Sequence, residues 1–327
     1  MKILVCGSSG CVGSAVVRAL RWRGHHVVET TRTSCDASSD AFALDLAAAP
    51  AEAELAARLS ALDVDAIVNC AGTALPAAAS PRADGLHGAG PIALFRAAER
   101  ASIGRVVTLS ALGTDRDDLD AIERGAWRTR RGADDTLLGL GLDAAVVRSA
   151  LVYGPGSRSA AMLAALAGAP ILALAGGGRR RLQPIHVFEL AEAIAALVER
   201  TGSARGVYEI GGASVVTFRE LLMALRTAAG GDRDPVLFAL PRPIARAAAA
   251  LSDRLARGAL DGDVLRLLAR VGITDRNAAP VLLGRAPSTL AEGLAVTPPA
   301  RRSSATRAMA VPSRSRSREL SPQQGRS

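Results

Sequence analysis

Residues 2–13 read KILVCGSSGCVG, an apolar run that leads directly into three glycines spaced three residues apart. The run predicts a strand over residues 3–6, and the apolar periodicity after it predicts a helix over residues 12–22. Glycines at these positions permit a sharp turn, let a phosphate approach the backbone and let the helix pack closely on the sheet. This order predicts a dinucleotide-binding loop, against the alternative of an ordinary glycine-rich turn. The candidate loop residues are Gly7, Ser8, Ser9, Gly10, Cys11, Val12 and Gly13.

The chain up to about residue 150 alternates between short apolar runs and amphipathic segments. The apolar runs predict further strands over residues 27–31, 43–46, 66–70, 106–110 and 144–148. The amphipathic segments predict helices over residues 52–62, 91–101 and 130–140. The alternation predicts an α/β fold, a Rossmann-type doubly wound parallel sheet with helices on both faces. Ligands of such sheets bind at the carboxyl ends of the strands, where the strand order reverses.

The pattern loosens after the turn Tyr153-Gly154-Pro155-Gly156. We predict a NAD(P)-binding Rossmann domain over residues 1–155 and a smaller α/β lobe, for substrate or partner, over residues 156–295. The smaller lobe is expected to hold a helix near residues 188–200 and a strand over residues 207–210. Residues 296–327 are predicted to form a disordered Arg/Ser-rich tail, because they have almost no large apolar residues to bury.

The net charge of +9 is concentrated near the end of the chain. Residues 301–327 hold seven arginines and one acidic residue, which leaves a net charge of only +3 on the rest. The tail is either an extension without function or a segment that binds anionic surfaces or nucleic acid. The basic charge therefore predicts no specific nucleic-acid partner for the folded part.

The cysteines and the apolar stretches indicate the cellular compartment of the protein. The four cysteines show no metal-ligand spacing, which predicts no metal site and a reduced, cytoplasmic protein. No secretory signal pattern precedes the first strand, and Gly168 and Pro170 interrupt the longest apolar stretch, so we expect no membrane span. Cys11, near a predicted helix start, is either an acidic thiol or a small apolar filler.

Seven motifs occur in a fixed order along residues 1–295. Together they resemble the extended and atypical short-chain dehydrogenase/reductase superfamily, which is NAD-dependent epimerase/dehydratase-like. Within it they are most similar to proteins like the nucleotide-binding accessory subunit of respiratory complex I. The resemblance implies a nicotinamide-nucleotide site in the first lobe and a cleft for an unknown small-molecule substrate or a partner protein. The motifs are residues 7–13, residues 24–28 with Arg32, and residues 45–46, 68–72, 105–113, 151–156 and 183–187.

Charge at the end of the second strand predicts the cofactor. Arg32 follows that strand, where the adenosine ribose would lie. A guanidinium there suits a 2′-phosphate, whereas a carboxylate would bond the free 2′-hydroxyl of NAD. Glu29 is the rival, but it falls inside the predicted strand. We therefore expect NADP(H) to be preferred over NAD(H), with a solvated loop arginine as the alternative.

The resemblance also implies further cofactor contacts. Asp45 would accept a hydrogen bond from the adenine amino group, and Leu46 would pack beside the ring. A loop-start aspartate is the alternative for Asp45. The other residues implied to contact the dinucleotide are Cys70, Ala71, Gly72, Ser110 and Arg130.

The catalytic pattern of the superfamily is incomplete in this chain. Its enzymes use a Ser, a Tyr that moves the proton and a Lys four residues later that lowers the pKa of the Tyr. Ser110 matches, but Ala126 stands at the Tyr position and Arg130 at the Lys position. Arg130 can still hold ribose hydroxyls, whereas alanine donates no proton. Tyr153 or His186 could replace the missing acid, or each could be a structural group.

Three function classes follow. The first is an NADPH-dependent oxidoreductase or epimerase-like enzyme with altered acid chemistry. The second is a non-catalytic nucleotide-binding module that senses NADPH or supports assembly of a partner complex. The third is an anion- or nucleic-acid-binding protein that acts through its tail. Cofactor turnover distinguishes the first two.

Overall fold

A seven-stranded parallel sheet forms the centre of the fold in a computed structural model of the chain. The structure describes residues 1–32, 40–72, 81–114, 121–231, 234–241 and 272–297. Across the sheet the strand order is β11-β6-β5-β4-β1-β2-β3, and every pairing is parallel. Numbered along the chain, its strands are β1 (Lys2–Cys6), β2 (His26–Thr31), β3 (Ala41–Ala43), β4 (Ala66–Asn69), β5 (Arg105–Ala111), β6 (Asp143–Ser149) and β11 (Gly206–Ile210).

Helices cover both faces of this sheet, as the alternating pattern predicted. The α-helices of the described residues, in the two lobes together, are α1 (Cys11–Trp22), α2 (Glu52–Leu62), α3 (Pro81–Asp84), α4 (Gly90–Arg100), α5 (Ala121–Gly139), α6 (Arg158–Ala167), α7 (Val187–Glu199), α8 (Phe218–Ala228), α9 (Ala279–Leu283) and α10 (Leu290–Val296). Val5 and Val107 pack on the side of α1 and α7, whereas Leu4 and Val106 pack on the side of α2, α4 and α5. Burial on both faces explains the continuous apolar runs of the strands, and the predicted doubly wound α/β fold is confirmed.

A smaller lobe follows β6. Its six short strands form three two-stranded sheets, β7 with β10, β9 with β12, and β8 with β13. Helices α6 and α8 share a separate apolar core with them, in which Leu163, Leu172 and Leu222 are fully buried. The strands are β7 (Val152–Tyr153), β8 (Ile171–Ala175), β9 (Arg181–Leu182), β10 (Ile185–His186), β12 (Val216–Thr217) and β13 (Val236–Leu240).

Three elements differ from their predicted placement. The strand predicted for the smaller lobe at residues 207–210 is β11, which extends the main sheet by pairing with β6. The strand predicted at residues 43–46 ends at Ala43, because Asp45 accepts a hydrogen bond from the Ala47 N–H and starts a 3₁₀ turn. Helix α5 begins at Ala121 rather than at residue 130. The boundary at residue 155 stays a prediction, and residues 298–327 of the tail lie outside the described residues.

The order of the strands reverses between β1 and β4. The chain runs from β1 outward to β2 and β3, and then from β4 outward to β5 and β6. The loop after β1 and the segment after β4 therefore meet at the carboxyl edge, which is where open α/β sheets bind ligands.

We predict that Gly13→Ala destabilises the protein by about 1–3 kcal/mol, because overpacking a closed contact forces the backbone to move. A Cβ at Gly13 would lie 2.1 Å from the Gly7 carbonyl oxygen. Gly132→Ala is the matched control: it lies in α5, and a Cβ there meets nothing within 4 Å. Alanine should raise stability at that position by about 0.5–1 kcal/mol. Urea unfolding measures both, and a neutral Gly13→Ala would contradict the close packing.

Candidate functional site

The glycine loop lies against the ends of β2 and β4. Gly7 has a φ of +74°, and a Cβ there would lie 2.7 Å from the Ala71 nitrogen. The Gly7 N–H donates to Thr30 Oγ1 at 3.1 Å, and the Gly10 N–H donates to the Gly7 carbonyl at 2.9 Å. The loop is therefore held by backbone contacts at positions where side chains do not fit.

The start of α1 carries no negative charge. Gly10 is its N-cap, and among the described residues no side chain caps the helix and no acidic residue lies in its first turn. Ser8 is buried and donates to the Thr30 carbonyl at 3.3 Å, whereas Ser9 is exposed and Val12 is half-buried. Uncapped N–H groups at a helix start favour an anion such as a phosphate.

Cys11 connects the glycine loop to the smaller lobe. Its Sγ lies 3.3 Å from the carbonyl oxygen of Pro155. Burial raises the pKa of the Cys11 thiol, only partly offset by Arg18. The acidic-thiol interpretation of Cys11 is therefore wrong, because loss of water outweighs the nearby positive charge.

The two candidate charges near the end of β2 differ in their surroundings. Glu29 pairs with Arg21 at 2.9 Å, so its carboxylate is engaged on α1. Arg32 directly follows the strand and is exposed. The arginine rather than the glutamate is therefore accessible at this edge.

Asp45 and Leu46 are both engaged within the protein. One Asp45 oxygen accepts from the Ala47 N–H at 3.1 Å, and the other pairs with Arg82 at 3.1 Å. Leu46 is 4% exposed and belongs to the core beneath α2 and α4. The contacts of both residues with adenine stay predictions.

The segment after β4 is fixed by Asn69. Its Oδ1 accepts from the Ala71 N–H at 3.1 Å, while its Nδ2 donates to Thr108 Oγ1 at 3.2 Å. Burial raises the pKa of Cys70 to about 12, so this thiol stays protonated at neutral pH. Gly72 is exposed, and a Cβ on it would lie 3.2 Å from the His87 ring and 3.8 Å from Arg130 Nη2.

Arg130 faces this segment from α5. Its Nη2 donates to His87 Nδ1 at 2.8 Å. Burial lowers the pKa of Arg130, and the nearby Asp134 opposes the shift. His87 lies in the π-helical turn Gly85–Ala89 between α3 and α4, and no sequence pattern had singled it out. Ala126 lies four residues before Arg130 on the same helix, and its side chain lies outside the described residues.

Ser110 belongs to a buried polar cluster between β5, β6 and α5. It is 2% exposed, and its hydroxyl donates to Asp134 Oδ2 at 2.7 Å. Arg148 Nε lies 3.9 Å from the same carboxylate oxygen. Burial raises the pKa of Asp134 to about 6, against the opposing effects of Ser110, Arg148 and Arg130. No sequence motif pointed to Asp134. Its position one turn after Arg130 was the one feature that indicated a role at this site.

Tyr153 is enclosed by α10. It is 2% exposed, and a Cβ on Gly293 would lie 2.0 Å from its hydroxyl oxygen. Among the described residues no group hydrogen-bonds that hydroxyl. Burial, together with Glu189 and Glu292, raises the pKa of Tyr153. These surroundings disfavour proton transfer by Tyr153.

Both ring nitrogens of His186 are occupied. Nδ1 accepts from the Phe188 N–H at 3.3 Å, which caps α7, and Nε2 lies 2.7 Å from Thr297 Oγ1. The Thr297 hydroxyl donates to the Gly293 carbonyl at 3.1 Å, so His186 donates from Nε2 and is neutral. Tyr153 and His186 therefore pack against α10 and its end, whereas Ser110 is bonded to α5.

These features define a Rossmann-type, doubly wound α/β fold. Residues 3–124 match the NAD dependent epimerase/dehydratase family. A curated relative is the NADH dehydrogenase [ubiquinone] 1 alpha subcomplex subunit 9, mitochondrial, of Arabidopsis thaliana. It is 31% identical over 161 residues, which cover 48% of this chain and 38% of the relative, so the chain spans less than half of that protein.

Solved structures share the fold at low identity. MoeE5 in complex with UDP-glucuronic acid and NAD is 20% identical, with a TM-score of 0.65 over 91% of this chain and 97% of that one. UDP-glucose 4-epimerase from Thermotoga maritima is 21% identical, with a TM-score of 0.65 and the same coverage. UDP-N-acetylglucosamine 4-epimerase from Bacillus cereus is 17% identical, with a TM-score of 0.66 over 90% and 99%. The predicted resemblance to epimerase/dehydratase-like proteins and to the respiratory accessory subunit is thus confirmed.

The described helices are too short or too polar to cross a bilayer. In the same part of the chain, no group of three or more His, Cys, Asp or Glu side chains could hold a metal ion. The cytoplasmic location stays a prediction.

We predict that His186 makes the protein less stable as the pH falls. Burial lowers the pKa of His186 in the folded state, so the unfolded chain binds a proton more readily. The contribution of the neutral His186 ring to stability is therefore fully present at pH 7.5. It decreases as the pH falls below about 6.5 towards the folded-state pKa of His186. His186→Asn keeps an acceptor for the Phe188 N–H and should flatten this loss between pH 7.5 and 5.5.

Urea unfolding at the two pH values measures the effect. His26→Asn is the control, because the side chain of His26 is 52% exposed and pairs only with the exposed Asp40 at 3.0 Å. An identical pH dependence in His186→Asn and the original protein would contradict the assignment.

Proposed function

We propose that this chain binds a nicotinamide dinucleotide at the carboxyl edge of the sheet and prefers NADP(H) to NAD(H). We class it as an oxidoreductase/epimerase-like protein of the atypical short-chain dehydrogenase type, with a degenerate Tyr–Lys pair. The observation that carries the proposal is the cradle at Gly7, Gly13 and Ala71, where the backbone segments approach too closely for side chains. Beside it, the uncapped start of α1 suits a diphosphate.

The NADP(H) preference is supported by the charges near the end of β2. Arg32 is exposed there, and the competing carboxylate of Glu29 is already paired with Arg21. A guanidinium makes charge-assisted, bidentate bonds to a phosphate, but it gains much less from a neutral hydroxyl.

We expect slow turnover, because the groups that could carry a proton are bonded or buried within the protein. A bound nicotinamide supplies or accepts a hydride, and the protein has to supply or hold the proton. Ser110 donates its hydroxyl to Asp134, Tyr153 lies beneath Gly293, and His186 uses both nitrogens. No phenol or imidazole among these groups is free to act on a substrate.

The second candidate function is a non-catalytic NADPH sensor or an accessory module of a partner complex. The internal hydrogen bonds of Ser110 and His186 and the burial of Tyr153 favour it. The name of the Arabidopsis relative, a subcomplex subunit, supports this class as well. Cofactor binding without measurable turnover would select it over the enzyme.

We predict that Arg32→Ala weakens NADPH binding by about 1.5–3 kcal/mol, because a charge-assisted contact with the 2′-phosphate is lost. Binding of NADH should be nearly unchanged. Arg96→Ala is the matched control, since it removes an exposed arginine from α4. Fluorescence titration of both cofactors measures the effect. Equal losses for NADPH and NADH would refute the assignment.

We predict that Ala126→Tyr combined with Arg130→Lys raises NADPH turnover with common carbonyl compounds. A positioned general acid contributes about 10²–10⁴-fold to a rate, and the lysine is needed to lower the pKa of the phenol. Ala126→Phe with Arg130→Lys is the control that lacks only the hydroxyl.

Steady-state NADPH oxidation distinguishes the outcomes. Equal rates for the Tyr and Phe variants would reject the missing phenol as the limiting group. Fast turnover in the original protein, abolished by Tyr153→Phe or His186→Ala, would make it a working enzyme with a substitute acid.

A further inference from the structure

A buried carboxylate joins three elements beneath the carboxyl edge of the sheet. Asp134 lies on α5 with 4% of its side chain exposed. Its Oδ2 accepts from Ser110 on β5 at 2.7 Å and lies 3.9 Å from Arg148 Nε on β6. No candidate function above uses this group.

Two guanidinium groups lie near the Asp134 carboxylate. Arg148 lies on β6, and Arg130 lies one turn earlier on α5, where its guanidinium is bonded to a histidine ring nitrogen. Both favour the ionised form of Asp134. The next acidic residue of α5, Asp135, has a 63% exposed side chain and lies 3.7 Å from Arg131.

The positive side of this cluster faces the candidate dinucleotide site. Arg130 lies beside Gly72, which follows β4 at the point where the strand order reverses. A dinucleotide carries negative charge on its diphosphate, and charges within a partly desolvated site interact more strongly than in water. The charge state of Asp134 therefore affects how strongly this edge attracts the cofactor.

We propose that Asp134 is a positioning residue for the dinucleotide: its carboxyl group holds Ser110 and α5 on the sheet, and its charge tunes the attraction of Arg130 for the cofactor. The proposal rests on the proposed function, since it assumes that the dinucleotide binds at this edge. Loss of the Asp134 charge makes the cluster more positive by one unit.

Burial raises the pKa of Asp134 to about 6. Below that pH the carboxyl group is neutral, so the anionic cofactor binds more tightly; above it the carboxylate offsets one arginine. Ser110, Arg148 and Arg130 favour the ionised form, and Asp135 disfavours it. Cofactor binding should therefore take up a proton near pH 6.

The test is the affinity for NAD⁺ from pH 5 to pH 8, measured by calorimetry. NAD⁺ is stable in acid and lacks the 2′-phosphate, so the probe does not itself titrate in this range. We expect the affinity of the original protein to rise about 3–10-fold as the pH falls through 6. Asp134→Asn keeps an oxygen acceptor for Ser110 and should bind tightly, with no such pH dependence.

Asp135→Asn is the matched control, because it removes the same charge one residue away. The pH-dependent rise in affinity should persist in it, with a midpoint at slightly lower pH, since Asp135 raises the pKa of Asp134. Calorimetry of the original protein in two buffers with different ionisation enthalpies measures proton uptake without any substitution. An original pH profile in Asp134→Asn, or no proton uptake, would overturn the inference. No NAD⁺ or NADPH binding at any pH would instead reject the proposed function.

Discussion

The close backbone approach at the ends of β1 and β4 constrains the rest of the structure. A Cβ at Gly7 would lie 2.7 Å from the Ala71 nitrogen, and a Cβ at Gly13 would lie 2.1 Å from the Gly7 carbonyl. Only glycine fits both positions, so α1 starts directly at the edge of the sheet. Asn69 fixes the opposite wall by bonding the Ala71 N–H. An uncharged cradle results, which is walled by backbone atoms and held by the Asn69 and Thr30 side chains.

Cofactor binding and proton transfer make different demands on the proposed site. Binding would use the cradle and a positive charge, which the backbone and Arg130 offer. Proton transfer requires a titratable group that is accessible to a substrate. In this chain Ser110, Tyr153 and His186 all stabilise internal contacts. Their burial contributes to packing and to helix capping, and it leaves them inaccessible to a substrate.

Periodic patterns were sufficient to predict the layers and the glycine loop, because local spacing determines which faces of strands and helices are apolar. They could not predict contacts between distant segments. Asp134 reaches Ser110 across 24 residues, and His87 reaches Arg130 across 43. Strand β11 was recognised but assigned to the wrong lobe, because a strand pattern does not name its partner. The 3₁₀ turn that Asp45 caps was likewise not predicted.

Arginine replaces lysine throughout this chain, in which Lys2 is the only lysine. The fork of the guanidinium suits this use, because it bonds several acceptors at once. Arg105 donates to the carbonyls of Leu197, Val198, Arg200 and Gly202, and so joins β5 to the end of α7. At position 130 the same preference has a chemical consequence. Arginine holds its proton more firmly than lysine does, so position 130 keeps its positive charge.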